Sequence, residues 1–382
     1  ILFHVQHLLG IGHQRRAAAL ARALAAEGMR VTVLSGGDAA GAGDFGSAEI
    51  VHLPAVRAVD SSFKTLVDEQ GHEIDDAFRA RRRDQALAVF AGVRPALLLI
   101  EGYPFARRAF RFELDPLIAA ARGALPRSAV VSSVRDVLVE KPDPERRRRV
   151  AERVRDEFDL VLVHGDPALV RLEESFPEAA VLGAKLRYTG YVRDVRPPPL
   201  APLPEGEVIV SVGGGAVGAA LLSASLAARP LTAARSRNWR LLTGPNLPEG
   251  EFAGLRRAAP DGVVVERFRE DFPELLCGCA LSISQGGYNT ILDVLAAGAR
   301  AIVVPFAAAA ETEQTRRAER LAARGLVHLL AEKEVTPSRL AEAVDRALAA
   351  PAPPRAGLDL EGAATSARVL AKLAREISCM NS

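Results

Sequence analysis

The chain has 382 residues, 49% of them hydrophobic and 25% charged, with a formal net charge of +2. That length favours two domains over one, the composition is globular rather than disordered, and the near-neutral charge excludes nucleic-acid binding by bulk electrostatics. Three cysteines, Cys277, Cys279 and Cys379, are too few for a disulfide framework and lack the spacing of a tetrahedral zinc site, which suits a reducing cytoplasm.

In chain order, Ile1–Val5 reads as a buried strand with no charged segment ahead of it, so no signal peptide is expected, and no run of about 18 apolar residues predicts a membrane span. A helix follows over Arg15–Glu27, where Ala18, Leu20, Ala21, Leu24 and Ala25 share one face and Gly28 closes the end. Further apolar runs at Val31–Ser35, Ala96–Ile100, Ala129–Ser133 and Leu160–Val163 read as strands alternating with helices, the pattern of a parallel sheet covered on both faces. Five prolines between 197 and 204 make a stiff connector. The alternation then restarts with Val208–Val212, Arg240–Thr243, Val263–Val265, Leu281–Ser284 and Ala301–Val304, and a helix over 360–377 ends it. The expected organisation is a domain over 1–195, a linker over 196–206 and a domain over 207–382 whose last helix can return to the first domain. Two such domains would place a cleft between the carboxyl ends of their sheets, where ligands bind in open α/β folds.

Three strand-to-helix turns carry the chemistry. The first is Gly10-Ile11-Gly12-His13: its glycines admit close approach, and the helix start favours an anion. Arg15 stands where a dinucleotide motif has its third glycine, and the second strand ends in Ser35-Gly36-Gly37 without an acid, which disfavours NAD. His13 suits a general base near neutral pH, and a helix-terminal histidine that only caps or packs is an equal alternative. Glu101, closing a strand, either serves as base, orients His13 or binds acceptor hydroxyls; Arg135-Asp136 closes another strand and either lines the acceptor side or forms a structural pair. The second turn, Ser211-Val212-Gly213-Gly214-Gly215, offers amides to a diphosphate, a plain tight turn being the alternative. The third, Ser284-Gln285-Gly286-Gly287-Tyr288-Asn289-Thr290, places Asp293 one helical turn beyond Thr290, where a carboxylate reaches ribose hydroxyls. Val303-Val304-Pro305-Phe306 leads on to Glu311-Thr312-Glu313-Gln314, polar groups that would otherwise be solvated surface. The basic runs Arg79–Arg83 and Arg146–Arg149 read as solvated helix faces.

These motifs resemble the MurG family, the N-acetylglucosaminyltransferases of peptidoglycan synthesis. The resemblance rests on Glu266-Arg267-Phe268, Gly286-Gly287 with Thr290 and Asp293, Pro305-Phe306, and Gln314 and Ala318 before Gly325. The loop at 10–13 and Thr189-Gly190-Tyr191-Val192 extend it along the chain. Gln6–His13 and Glu311–Gln314 give the sequence the look of a separate MurG-like branch.

The resemblance implies an α/β chain of GT-B fold, two Rossmann-like domains facing across a cleft, with acceptor on the first and nucleotide sugar on the second. Phe268 and Arg269 would hold the base through their backbone, and Gly214, Gly215 and the Gly286–Thr290 turn the diphosphate. Asp293 would bind the ribose in place of the family's Glu, and Gln314 the sugar hydroxyls. Glu313 stands where the family has His or Gln, so the sugar need not be N-acetylglucosamine. Gly10, Gly12, Arg135 and Asp136 would line the acceptor side, with His13 or Glu101 as base. The implied activity is inverting transfer from a nucleotide diphosphate sugar of the UDP type, without a metal and without a cofactor, the nucleotide sugar being a substrate. A peripheral contact with anionic lipid goes with the family's lipid-linked acceptors. A nucleotide-sugar hydrolase or epimerase, and a non-catalytic sensor, are the rival readings.

Overall fold

The computed structural model describes residues 1–6, 12–37, 43–58, 65–139, 143–193, 206–214, 218–306, 313–354 and 357–380. The proline-rich stretch, Gly10, Gly215, Glu311 and Thr312 lie outside them. The chain forms two compact units, Ile1–Val195 with Leu358–Ser382, and Arg196–Gly357.

The first unit holds strands β1 (Leu2–Val5), β2 (Thr32–Ser35), β3 (Glu49–His52), a short antiparallel pair β4 (Arg57–Ala58) and β5 (Leu66–Val67), β6 (Leu97–Glu101), β7 (Ala129–Arg135), β8 (Leu160–His164) and β9 (Leu186–Tyr188). Seven of them make a parallel sheet in the order β3-β2-β1-β6-β7-β8-β9. Its helices are α1 (Gly12–Ala26), α2 (Asp76–Val93), α3 (Arg111–Gly123) and α4 (Pro144–Glu157). Local chemistry sets their starts: Asp75 and Asp143 accept hydrogen bonds from the first amides of α2 and α4, and Pro144 presets the first φ of α4. All residues of β1 and β6 are buried, the signature of a sheet covered on both faces. One apolar layer includes Leu98, Ile100, Phe110, Leu114 and Val130; the opposite layer includes Phe3, Leu20, Leu24, Leu99 and Val131.

The second unit holds β10 (Val208–Ser211), α5 (Ala219–Ala228), β11 (Trp239–Leu242), α6 (Glu249–Ala258), β12 (Val263–Glu266), α7 (Phe272–Gly278), β13 (Leu281–Ser284), α8 (Tyr288–Ala297), β14 (Ala301–Val303), α9 (Glu313–Ala323), β15 (His328–Leu329) and α10 (Pro337–Ala349). Its parallel sheet runs β12-β11-β10-β13-β14-β15. The last helix, α11 (Gly362–Met380), belongs to the first unit, where Ala367 and Leu370 join Leu20 and Leu24 of α1 in one core. Two close backbone approaches fix it there. Gly362 lies against the Gly190 and Tyr191 main chain, with its amide donating to the Tyr191 carbonyl, and Gly190, at φ +82°, faces Asp359. A side chain at either glycine would meet these groups.

The run Arg79–Arg83 is not a wholly solvated face. Arg82 is fully buried and donates to both oxygens of buried Glu113, to the Gln6 side chain and to the Gly36 and Pro54 carbonyls. His4 Nε2 meets the same carboxylate at 3.0 Å. One guanidinium thus ties α2 to α3 and to the segments after β1, β2 and β3, which an uncharged side chain could not do. Burial alone would raise the Glu113 pKa, but Arg82 and the hydrogen bonds from Arg82 and His4 outweigh it and lower the value from 4.5 to about 2. A carboxylate depressed in the folded state adds stability above its unfolded pKa and loses that share as pH falls through the folded value. Glu113→Gln should therefore cost about 3–5 kcal/mol at neutral pH, because Arg82 is left buried without its counter-charge. Urea denaturation checks this, and the deficit should shrink between pH 4.5 and about 2; a loss unchanged by pH would refute the ionic account.

Candidate active site

Both sheets reverse their winding once. In the first unit the chain leaves β1 for β2 on one side, and β6 pairs on the other, so a crevice opens at the carboxyl ends of β1 and β6. In the second unit the reversal lies between β10 and β13. Those two points gather most of the residues singled out in the sequence.

At the first point α1 begins beyond β1 and carries His13, while β6 ends in Glu101, which is almost fully buried. His13 Nδ1 lies 2.6 Å from Glu101 Oε1, and Arg16, one turn along α1, donates to the same oxygen. Burial opposes the Glu101 charge, but His13 and Arg16 overcome it and hold the carboxyl well below the usual range. An ionised carboxylate can only accept, so Nδ1 carries the proton and Nε2 keeps its lone pair. The ring is 24% exposed. Burial first, and then the charges of Arg107 and Arg135, lower its pKa from 6.5 to about 4 against the pull of Glu101. His13 is accordingly neutral at physiological pH and chemically able to take a proton.

Of the other residues expected here, Gly12 is the first residue of α1. Arg135 closes β7 within electrostatic range of His13. Asp136 is fully buried, accepting from the Tyr191 hydroxyl at 3.1 Å and from the Val137 amide. It thereby links the end of β7 to the segment that anchors α11. Sequence reasoning missed Arg16, although its three-residue spacing from His13 puts both on one helix face. It also missed His164, the residue just past the apolar run of β8. That ring is buried between Ser133 Oγ at 2.7 Å and Thr189 Oγ1 at 3.0 Å, and burial lowers its pKa to about 3.

At the second point β10 runs into Gly213 and Gly214, and β13 into Gln285, Gly286 and Gly287, the last being the N-cap of α8. Gly213 has φ +61°. The Asn246 amide donates to the Gly214 carbonyl. Tyr288, Asn289 and Thr290 form the first turn of α8, whose exposed amides favour an anion. Gln314, on α9, accepts from the Phe306 amide at 3.1 Å and lies against Gly286, where a Cβ would come within 3.2 Å of its own. These contacts join the loops after β13 and β14 to the start of α9. Asp293 is nearly buried on α8. Glu313 is also buried and pairs with Arg317 at 2.9 Å; Arg317 in turn lies over the Tyr288 ring. Phe268 and Arg269 follow β12, the edge strand beyond β11. Phe268 is exposed, and the Arg269 guanidinium is bound bidentately by Asp271.

Residues 209–364 match the family model of the glycosyltransferase family 28 C-terminal domain. A UDP-N-acetylglucosamine--N-acetylmuramyl-(pentapeptide) pyrophosphoryl-undecaprenol N-acetylglucosamine transferase of Rhodospirillum centenum is 31% identical over 160 residues, 40% of this chain and 41% of its own length. The protein of the same name from Phenylobacterium zucineum is 27% identical over 356 residues, 89% of this chain and 88% of its own. Among the first relatives matched, the aligned stretch spans less than half of each relative's length. The crystal structure of Acinetobacter baumannii MurG superposes with a TM-score of 0.60 at 18% identity, covering 97% of this chain and 99% of that one. The fold is GT-B and the chain is MurG-like.

The ion-paired arrangement around His13 has a direct test. NMR titration of the wild-type protein should place the His13 imidazole near its depressed value of about 4. Glu101→Gln should move it lower still, because the carboxylate is the group that favours the charged ring. A titration near 6.5 in the wild type, or a rise in the variant, would contradict the geometry.

Proposed function

We propose that this MurG-like chain of GT-B fold is a glycosyltransferase that moves a sugar from a nucleotide diphosphate sugar of the UDP type to an acceptor hydroxyl, with inversion. The observation that carries the reading is the His13–Glu101 pair at the strand reversal of the first unit. Glu101 fixes the tautomer and orientation of the ring. Nε2 accepts the proton of the acceptor hydroxyl as its oxygen bonds to the anomeric carbon. The bond from that carbon to the diphosphate breaks, and the diphosphate leaves with the electron pair.

The second unit supplies the donor side. The Gly213-Gly214 turn and the first amides of α8 hold the diphosphate and take up its charge, so the reading assigns no role to a metal. Asp293 accepts from the ribose hydroxyls, Gln314 from the sugar, and the backbone at Phe268 and Arg269 meets the base. The Glu313–Arg317 pair places a carboxylate where the family has His or Gln, which favours a sugar other than N-acetylglucosamine. Among the described residues no helix is long and apolar enough to cross a membrane. The reading makes the protein a cytoplasmic enzyme, in contact at most with a membrane surface.

Two measurements bear on the two units separately. A charge-assisted contact to ribose contributes about 1.5–3 kcal/mol, so Asp293→Ala should weaken UDP binding by roughly tenfold or more in calorimetry. Unchanged affinity in the folded variant would remove Asp293 from the donor site. A general base contributes about 10²–10⁴-fold, so His13→Ala should lower single-turnover transfer by at least about 10²-fold while UDP affinity stays the same. Unaltered turnover with a lowered melting point would make His13 a packing residue. Rapid turnover of the donor without acceptor would favour a hydrolase.

A further inference from the structure

We propose that Arg16 is a positioning residue that holds Glu101 as an anion and keeps the His13 imidazole uncharged, free to take the acceptor's proton. The inference rests on the reading of His13 as the base and adds the residue that sets its charge state.

A histidine paired only with a buried carboxylate tends to become charged, because an opposite charge favours the imidazolium. An imidazolium has no lone pair for a further proton. Glu101 by itself would therefore draw a proton onto the ring and spend the base. Arg16 alters this balance. It donates to Glu101 Oε1, the oxygen that already accepts from His13 Nδ1. Its Nη2 lies 3.3 Å from Nδ1, and with both nitrogens directing hydrogens at one oxygen, this approach is a contact between two donors. A second proton on the ring would set two full positive charges side by side. The guanidinium also neutralises the carboxylate without ever giving up its proton, which divides the pull on the ring.

The position of Arg16 supports a role of this kind. It is the fifth residue of α1, near the helix end whose free amides disfavour a cation, and no acid lies in the first turn. It is 4% exposed, so water does little to screen its charge. Its counter-charge comes from β6, 85 residues further along the chain. The other groups around the cluster are consistent with a neutral ring. Burial first, and then Arg107 after β6 and Arg135 at the end of β7, act on His13 in the same direction. His164, at the end of β8, is buried and held neutral, with Arg16 and Glu101 acting on it in opposite senses. Asp136 is turned to the Tyr191 hydroxyl.

NMR titration of His13 in the full chain tests this and needs no substrate. Arg16→Gln should raise the proton affinity of the ring about tenfold or more, moving its midpoint up from about 4. Arg16→Lys, which keeps the charge, should restore most of the low value. The acid limb of kcat/KM for transfer should move up with the ring, so that activity lost at low pH returns at higher pH. A purely structural ion pair would lower the melting temperature and leave both midpoints in place. Arg16→Gln also strips Glu101 of a counter-charge, so a second comparison avoids the buried anion. The double variant Glu101→Gln/Arg16→Gln should titrate at higher pH than Glu101→Gln alone. An unchanged or lowered midpoint on removing Arg16 in either background, or equal shifts in the Lys and Gln variants, would overturn the proposal. Turnover that His13→Ala leaves unaltered would count against the base reading instead, and the titration would still decide this one.

Discussion

A single buried carboxylate, Glu101, organises the end of the first sheet. It terminates the central strand β6 beside the point where the winding reverses, and it is ionised only because His13 and Arg16 reach it from α1. The buried Arg16 guanidinium has its counter-charge in the same carboxylate. The tautomer of His13 follows from this charge. The histidine is left neutral chiefly by burial, with the charges of Arg107 and Arg135 acting in the same direction, so the cluster combines a fixed anion with an uncharged imidazole.

The two units use the same topology to gather different kinds of groups. Each reverses its strand order once, and each puts loop residues at that reversal. In the first unit the reversal holds the charged side chains of Glu101 and Arg16 and the neutral imidazole of His13. In the second it holds glycines and a helix N-terminus, with Gln314 bracing Gly286 and Phe306. On the proposed reading the side-chain acid–base groups serve proton transfer, and the main-chain amides serve a diphosphate that must arrive and leave.

Much of the fold was legible because parallel strands buried on both faces appear as unbroken apolar runs. Leu97–Ile100 and Val208–Ser211 needed only their composition. Glycine pairs at 213–214 and 286–287 marked the turns for the same reason: few other residues fit there. The exposed edge strand Glu49–His52 and the short β9 and β15 carried too little apolar signal. Arg82 was misread because a basic run on a helix looks solvated whichever of its members turns inward. Only the buried Glu113 on α3, far away in sequence, decides the matter. The pairing of His13 with Glu101 left the same trace, two polar residues at two strand-to-helix turns, but their contact required the strand order. The meaning of Gly190 was hidden too, since its partner Asp359 lies beyond the whole second unit.

The pH dependence of kcat/KM tests the central claim most directly, since it reports the free enzyme's base. With a neutral His13 held by Glu101, activity should persist as pH falls below 6.5 and decline only on approach to about 4. An acid limb centred at the ordinary histidine value of 6.5, or a profile that His13→Gln leaves unchanged, would contradict it.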